Sequence, residues 1–175
     1  MELSLYQRAC SLMNISPLGR QDCGRLCNKR CCKGDESDGM FLFPGEEDFY
    51  SQKSSWAEIR EAIEPVTGQS LSFLVCRGTC PRELRPLACR TFPLLPKINA
   101  EGELELYLDK RGILICPLVK ADNLNLFHPA FLRRVKRAWG LLLQDPELRE
   151  FVHAFSRVWE ETPIDPWEKI FKTRC

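Results

Sequence analysis

Four cysteines lie within ten residues in the stretch Cys23-Gly-Arg-Leu-Cys27-Asn-Lys-Arg-Cys31-Cys32. The longer segment around it, residues 22–39, has no apolar periodicity and is rich in charged residues and glycine. A hydrophobic face cannot order such a segment, so we expect its order to come from bonds made by the thiols. If the stretch is helical, Cys23, Cys27 and Cys31 fall on one slowly rotating stripe, and Cys32 points roughly away from it.

The cysteine content of the whole chain is the second unusual feature, with ten cysteines among 175 residues. Cytosolic thiols stay reduced, and there a dense cysteine pattern more often binds metal or serves catalysis than forms disulfides. We expect Cys10 to be a core thiol on the first helix and Cys175 to be exposed in the tail. Inert thiols, and disulfides in an exported protein, are the alternatives for the rest. The remaining eight are the candidate metal ligands: Cys23, Cys27, Cys31, Cys32, Cys76, Cys80, Cys89 and Cys116.

Soft thiolates suit Zn²⁺ or an iron–sulfur cluster, both of which need four sulfurs converging on one point. Eight thiols could serve one site or two. The adjacent pair Cys31–Cys32 and the surplus of thiols favour an iron–sulfur cluster, of the [4Fe–4S] type, over zinc. A histidine-based hydrolytic zinc site is not expected, because the chain has only two histidines. We favour as ligands Cys23, Cys27, Cys31 and Cys89, followed by Cys32, Cys76, Cys80 and Cys116.

Motifs downstream of the first cysteines carry a resemblance to a known family. Residues 43–47 read Phe-Pro-Gly-Glu-Glu, residues 78–80 read Gly-Thr-Cys, and residues 85–93 read Arg-Pro-Leu-Ala-Cys-Arg-Thr-Phe-Pro. With the cysteine stretch, they make residues 20–120 resemble the YkgJ-type cysteine-cluster family, which is described as chelating zinc or iron. The C-x2-C-x2-CC signature of that family has spacings of two where this chain has three, whereas the block at 85–93 matches closely. The resemblance implies a bound metal.

Charge balance gives Arg85 and Arg90 an expected role beside the cysteines. Four thiolates around Zn²⁺ or a [4Fe–4S]²⁺ core leave about two net negative charges. Burying that charge is costly unless hydrogen-bond donors and cations surround it, and the two arginines flank Cys89 in sequence. We therefore expect at least one of them to lie against the site, with surface exposure as the alternative. The acidic run at 46–48 is expected to cap a helix, or else to supply a ligand or base.

The rest of the sequence predicts an α+β fold in a single domain over 1–175, with a cysteine-cluster region at 20–120 and a helical pair at 127–160. A small cysteine-rich layer with short antiparallel strands should pack beside that pair. Capping signals predict helices that begin at Ser4, at Ser55 (ending before Pro65) and after Asp145, and a short terminal helix at Asp165. Strands or extended segments are predicted at 40–43, 71–75, 91–98, 103–108 and 112–115.

Composition limits the partners. Lys and Arg number 25 against 24 Asp and Glu, so no basic field points to nucleic acid. The basic cluster at 133–137 is expected to form the solvent-exposed face of an amphipathic helix. No apolar run approaches the ~18 residues that a membrane span requires. The N-terminus lacks the pattern of a secretory signal, which predicts a cytosolic protein.

These observations predict a metal-binding protein with a structural, redox or metal-handling role. The first alternative is an iron–sulfur-dependent enzyme that modifies a peptide or protein, because a related cysteine segment occurs in bacterial flagellin lysine-N-methylases. This chain is much shorter than those enzymes and has no nucleotide fingerprint such as G-x-G-x-G, so the binding role is preferred. An exported disulfide scaffold is the second alternative. Whether the chain is an enzyme, and its oligomeric state, are left open.

Overall fold

The computed structural model describes residues 4–32, 38–50, 56–76 and 80–161, which form an α+β fold. The helices of these ranges are α1 (Leu5–Leu12), α2 (Gly24–Cys27), α3 (Leu87–Thr91), α4 (Pro117–Lys120), α5 (Pro129–Leu142) and α6 (Pro146–Glu161). The strands are β1 (Gly39–Phe41), β2 (Ala57–Ile63), β3 (Ser70–Cys76), β4 (Leu94–Ile98) and β5 (Leu104–Leu108). Short 3₁₀ turns lie at Arg30–Cys32, Glu47–Tyr50, Arg82–Leu84, Lys110–Leu114 and Leu124–Leu126. The predicted fold class is confirmed.

Helix α1 begins where the sequence predicts it, at a capping box. The Gln7 N–H donates to Ser4 Oγ (3.2 Å) and the Ser4 N–H donates to Gln7 Oε1 (2.9 Å), so the two residues satisfy each other's backbone donors. Ala9 and Met13 are buried, and the helix packs against α5. The Cys10 side chain also packs against the core.

The C-terminal helices α5 and α6 form the main wall of the core. Helix α6 begins after Asp145, whose Oδ1 accepts the Leu148 N–H at 3.1 Å. The apolar stripe of α5 is buried, and Trp139 meets Phe43 edge-on with ring centroids 4.7 Å apart. Burial of such a stripe supplies most of the stability of a helix in a protein. Both predicted helices are confirmed.

Two antiparallel sheets accompany the helices. The larger has the strand order β1-β3-β2, with Leu74 of β3 opposite both Met40 of β1 and Ile59 of β2. The smaller is the hairpin β4–β5, which lies against α6 and closes at Asn99, whose Oδ1 accepts the Glu103 N–H at 2.8 Å. The strands predicted at 71–75 and 103–108 are therefore present. Strand β1 covers only the first part of the strand predicted at 40–43, and of the extended segment predicted at 91–98 only residues 94–98 form a strand.

The predicted helix between Ser55 and Pro65 is wrong. Residues Ala57–Ile63 form strand β2, which pairs along its whole length with β3. Ile59 and Ile63 of this strand are 37% and 64% exposed. Residues four apart share one face of a strand as well as of a helix, so their spacing did not separate the two. Pairing with β3 outweighs the local signal for a helix.

The strand predicted at 112–115 is also wrong, because this segment belongs to the 3₁₀ turn Lys110–Leu114. Asp109 begins that turn by accepting the Arg111 N–H at Oδ1 (3.1 Å). Thr91, predicted to start an extended segment, instead ends α3. The predicted terminal helix at 165, Ser55 and Cys175 lie outside the described residues. Within the described ranges, every helix is too short or too polar to cross a membrane.

Gly112 provides a test of this turn. A Cβ at this position would lie 2.8 Å from Phe92 Cζ and 3.2 Å from Val119 Cγ2. We expect Gly112→Ala to lower the free energy of unfolding by about 1–2 kcal/mol, measured by urea denaturation. Gly140→Ala on α5 is the matched control, because its Cβ would meet nothing within 4 Å. That change should raise stability by about 0.5–1 kcal/mol, and a similar loss in both variants would contradict the packing argument.

Candidate metal centre

The cysteine stretch is not one continuous helix. Helix α2 ends at Asn28, and both Asn28 and Lys29 adopt left-handed backbone, with φ of 51° and 57°. The Lys29 N–H closes the helix end by donating to the Gly24 carbonyl (2.9 Å). Asparagine tolerates this conformation, which ends helices. The helical stripe considered for the stretch is therefore absent, and the chain turns between Cys27 and Cys31.

Cys23 lies at the start of the stretch, within electrostatic range of Cys27 and Cys116. Burial raises the pKa of its thiol, contact with Ser16 lowers it, and the nearby charges of Asp22, Cys116 and Cys27 raise it. The Cys23 N–H also donates to Ser16 Oγ (3.3 Å). Cys116 reaches this region from the start of α4, where its N–H donates to the carbonyl of Gly112 (2.8 Å).

The Sγ atoms of Cys31 and Cys32 lie 3.9 Å apart. A tetrahedral Zn–S₄ site with bonds of about 2.3 Å has S–S edges of about 3.8 Å. Hydrogen bonding between the two thiols raises the pKa of Cys31, as do burial and the charges of Cys32, Cys27 and Cys23. The same hydrogen bond lowers the pKa of Cys32 to about 6. Burial raises this pKa, whereas the positive charges of Arg85 and Lys29 lower it further.

Three thiols, those of Cys32, Cys80 and Cys89, lie near the Arg85 guanidinium. Burial opposes its charge, but Cys80 lies within hydrogen-bonding reach, and the charges of Cys80, Cys32 and Cys89 raise the Arg85 pKa overall. Burial also raises the pKa of the Cys89 thiol, as do the charges of Cys32 and Cys80. Arg85 Nε is buried and has no hydrogen-bond partner in the described part of the chain. One arginine donor therefore remains available beside the three thiols.

Arg90 supports Arg85 through the backbone. Its Nε donates to the Arg85 carbonyl (2.6 Å) and its Nη2 donates to the Glu83 carbonyl (2.7 Å). These bonds hold the segment that carries Arg85 against α3, which carries Cys89. Arg90 thus stabilises the position of Arg85 through hydrogen bonds to the backbone.

Glu46 is buried and caps α3, in accord with the expected role of the acidic run. Its Oε1 accepts the Leu87 N–H at 2.7 Å, and its Oε2 accepts the Phe43 N–H at 3.1 Å. Burial raises the pKa of Glu46 to about 7, although both backbone hydrogen bonds and Arg90 lower it. This residue ties the turn after β1 to the helix that carries Cys89.

Glu46 should make stability depend on pH. The folded protein holds this proton more tightly than a chain with the ordinary pKa of 4.5, so the contribution to folding is complete below pH 4.5 and is lost towards pH 7. We expect the free energy of unfolding to fall by up to about 1 kcal/mol per pH unit in that window. Urea denaturation of Glu46→Gln should lack this slope, whereas the exposed control Glu103→Gln should retain it. The same slope in both variants would contradict the assignment.

Seven of the described cysteines are free thiols that lie within electrostatic range of one another. Cys23, Cys27, Cys31 and Cys116 make one group, and Cys32, Cys80 and Cys89 make the other beside Arg85. Cys89 therefore lies with the second group, and Cys116 lies with Cys23. Cys76 ends β3, where its N–H donates to the Asp38 carbonyl (3.0 Å).

Sulfur dominates the donor chemistry here. His128 caps α5 by accepting the Ala130 N–H at Nδ1 (3.2 Å), and His153 is exposed on α6. In the described ranges, no three His, Cys, Asp or Glu side chains converge closely enough to hold a metal ion. The all-sulfur donors and the unpartnered Arg85 Nε nevertheless suit a thiolate-bound metal or cluster.

Two residues of this neighbourhood were missed by sequence reasoning. Ser16 reaches Cys23 across a tight turn, and Lys29 lies near Cys32 because the backbone turns at that point. Neither residue type nor spacing signalled these contacts. Comparison of the chain with protein-family models, curated proteins and solved structures finds no match, so its function must be argued from the chemistry of these thiols.

Proposed function

We propose that this protein binds an iron–sulfur cluster, or alternatively zinc, through its clustered cysteine thiolates. The observation that carries the proposal is the grouping of seven thiols within electrostatic range of one another, three of them near the half-buried Arg85. Burial raises the pKa of Cys89 and a hydrogen bond raises that of Cys31, and in both cases repulsion between neighbouring thiolates adds to the rise. A bound metal removes that repulsion and displaces the protons. Its role would be structural, redox or metal handling.

The arrangement supports Cys23, Cys27, Cys31 and Cys116 as the first ligand set. Cys32, Cys80 and Cys89 would form a second set or extend the first, since the two groups meet at the Cys31–Cys32 pair. Arg85 would offset the negative charge of bound thiolates, and Arg90 would hold Arg85 in place. This differs from the set favoured on sequence, in which Cys89 completed the first group.

We favour iron–sulfur over zinc on the adjacent Cys31–Cys32 pair. Each kind of site takes four thiolates, so the seven thiols also leave room for a second site. The proposed setting is the reducing cytosol, where these thiols would persist. The resemblance to the YkgJ-type cluster proteins points to the same chemistry. An iron–sulfur-dependent enzyme acting on a peptide or protein is the second candidate, resting only on the methylase-related segment.

Anaerobic purification followed by elemental analysis tests the proposal. We expect about four irons and four sulfides per chain for one [4Fe–4S] cluster, or about one zinc for the alternative. Cys23→Ser and Cys116→Ser should each lose most of that metal. Cys10→Ala is the matched control, because Cys10 packs against the core. A folded, metal-free protein whose thiols all react with a thiol reagent would overturn the proposal.

A further inference from the structure

A cavity lies between β1, α3, the 3₁₀ turn at 110–114 and α6, and no cysteine lines it. Its volume is about 210 Å³, and most of its lining is apolar, including Leu42, Phe43, Phe92, Phe151 and Phe155. An apolar protein cavity of about 150 Å³ is already large enough to bind benzene. This cavity therefore has room for a small organic molecule of roughly nine or ten non-hydrogen atoms.

One end of the cavity is charged. Its titratable lining residues are Glu64, Asp109 and Arg111. Arg111 forms a bidentate pair with Asp109, from Nε to Oδ1 (2.8 Å) and from Nη2 to Oδ2 (2.9 Å). Its guanidinium also lies over the ring of Phe155, with 5.7 Å from Cζ to the centroid. Two carboxyl groups therefore face one guanidinium, which is already paired with Asp109.

Glu64 has one carboxylate oxygen that accepts no hydrogen bond from the described residues. Its Oε2 accepts hydrogen bonds from Val66 N (3.0 Å), Thr67 N (2.7 Å) and Thr67 Oγ1 (3.0 Å). Its Oε1 is buried and has no hydrogen bond within the described residues. Arg111 Nη1 lies 3.6 Å from that oxygen, which is too long for a hydrogen bond. Leaving a buried carboxylate oxygen without a donor costs about 1–3 kcal/mol or more.

We propose that this cavity binds a small organic cation, a primary amine on a hydrocarbon body, with its ammonium donating to Glu64 Oε1. The ammonium supplies both the missing donor and the missing positive charge, and the hydrocarbon body occupies the aromatic part. An anion would meet a net negative end whose only guanidinium is held by Asp109. A neutral hydrocarbon would leave Oε1 unpaired. The proposal does not depend on a metal at the cysteines.

The experiment compares three probes of similar size, each with nine or ten non-hydrogen atoms: 2-phenylethylamine, the neutral 2-phenylethanol and the anion phenylacetate. Binding to the full chain is measured by calorimetry and by chemical-shift changes at the cavity. We expect the amine to bind at least about tenfold more tightly than the alcohol, since charge-assisted hydrogen bonds are about twice as strong as neutral ones, and the anion not to bind. Glu64→Gln should weaken the amine about tenfold or more and leave the alcohol unchanged. The exposed control on β2, Glu61→Gln, should change neither.

Equal affinity for amine and alcohol would overturn the proposal, because charge would then play no part. Absence of amine binding to the folded chain would also overturn it, and would indicate that only water occupies the cavity. Leu71 lines the cavity from β3, so Leu71→Phe adds bulk there without removing a polar group. That variant should block amine and alcohol alike, and unchanged amine binding would place the site elsewhere. It keeps the test decisive if Glu64→Gln does not fold.

Discussion

Removing the metal that we propose the thiols bind should unfold the cysteine segments and leave the C-terminal helices intact. The reason is the uneven distribution of buried apolar surface. In α2 only Gly24 is buried, and Leu26 is 55% exposed. The 3₁₀ turn Arg30–Cys32 buries no residue. In contrast, Phe131, Trp139 and the rest of the α5 stripe are buried.

Hydrogen exchange measures this difference directly. After the proposed metal is removed with a chelator, amides of residues 23–32 and 80–84 should exchange roughly 100-fold faster or more, approaching the rates of an unfolded chain. Amides of α5 and α6 should keep their protection. Reloading with metal should restore the slow exchange, which controls for damage by the chelator.

The alternative outcomes have distinct meanings. A uniform rise in exchange over 23–32 and 129–161 would show that the metal stabilises the whole domain as one cooperative unit. No change at residues 23–32 would show that the thiols are already held in position. That result would contradict a folding role for the metal and favour metal exchange or catalysis.

The parts of the fold that were predictable from sequence are those with a local signal. The capping box at Ser4 and the Asp145-Pro146 start each bring donor and acceptor within three residues. The β4–β5 hairpin closes at a turn of four residues. Strand β2 has no such signal, because its Ile59 and Ile63 share a face in either secondary structure. Only its pairing with the distant β3 distinguishes the two.

The residues that belong to the site were predictable from the sequence, but which cysteines lie together was not. Spacing identified the thiols and the neighbouring arginines, and Arg85 lies among Cys32, Cys80 and Cys89. Helical spacing could not reveal the left-handed turn at Asn28 that separates Cys27 from Cys31. Nor could it show that Cys116, nearly a hundred residues later, approaches Cys23, because that depends on how α4 packs.

Arg85→Ala should weaken the hold of the site on its metal about 10–100-fold, measured as the rate of loss to a chelator. The guanidinium offsets thiolate charge, and its unpartnered Nε can donate to sulfur. Arg85→Lys keeps the charge but not the planar set of donors, so its loss rate should lie between those of Ala and Arg. Arg82→Ala is the matched control, because Arg82 is an exposed arginine on the preceding 3₁₀ turn.

A second measurement on metal-free protein separates this charge effect from a general loosening. Arg85 helps to lower the pKa of Cys32 to about 6, so the pH at which Cys32 becomes reactive towards an alkylating reagent should rise in Arg85→Ala. Arg85→Lys should restore part of the lowering, whereas a merely structural role would not depend on the charge of the replacement. Arg90→Ala should raise the Cys32 pKa less, because Arg90 acts on the backbone that carries Arg85. If the Cys32 pKa and the rate of metal loss are the same in Arg85→Ala and Arg82→Ala, the arginine does not act on the thiols, and the charge of the site must be offset elsewhere.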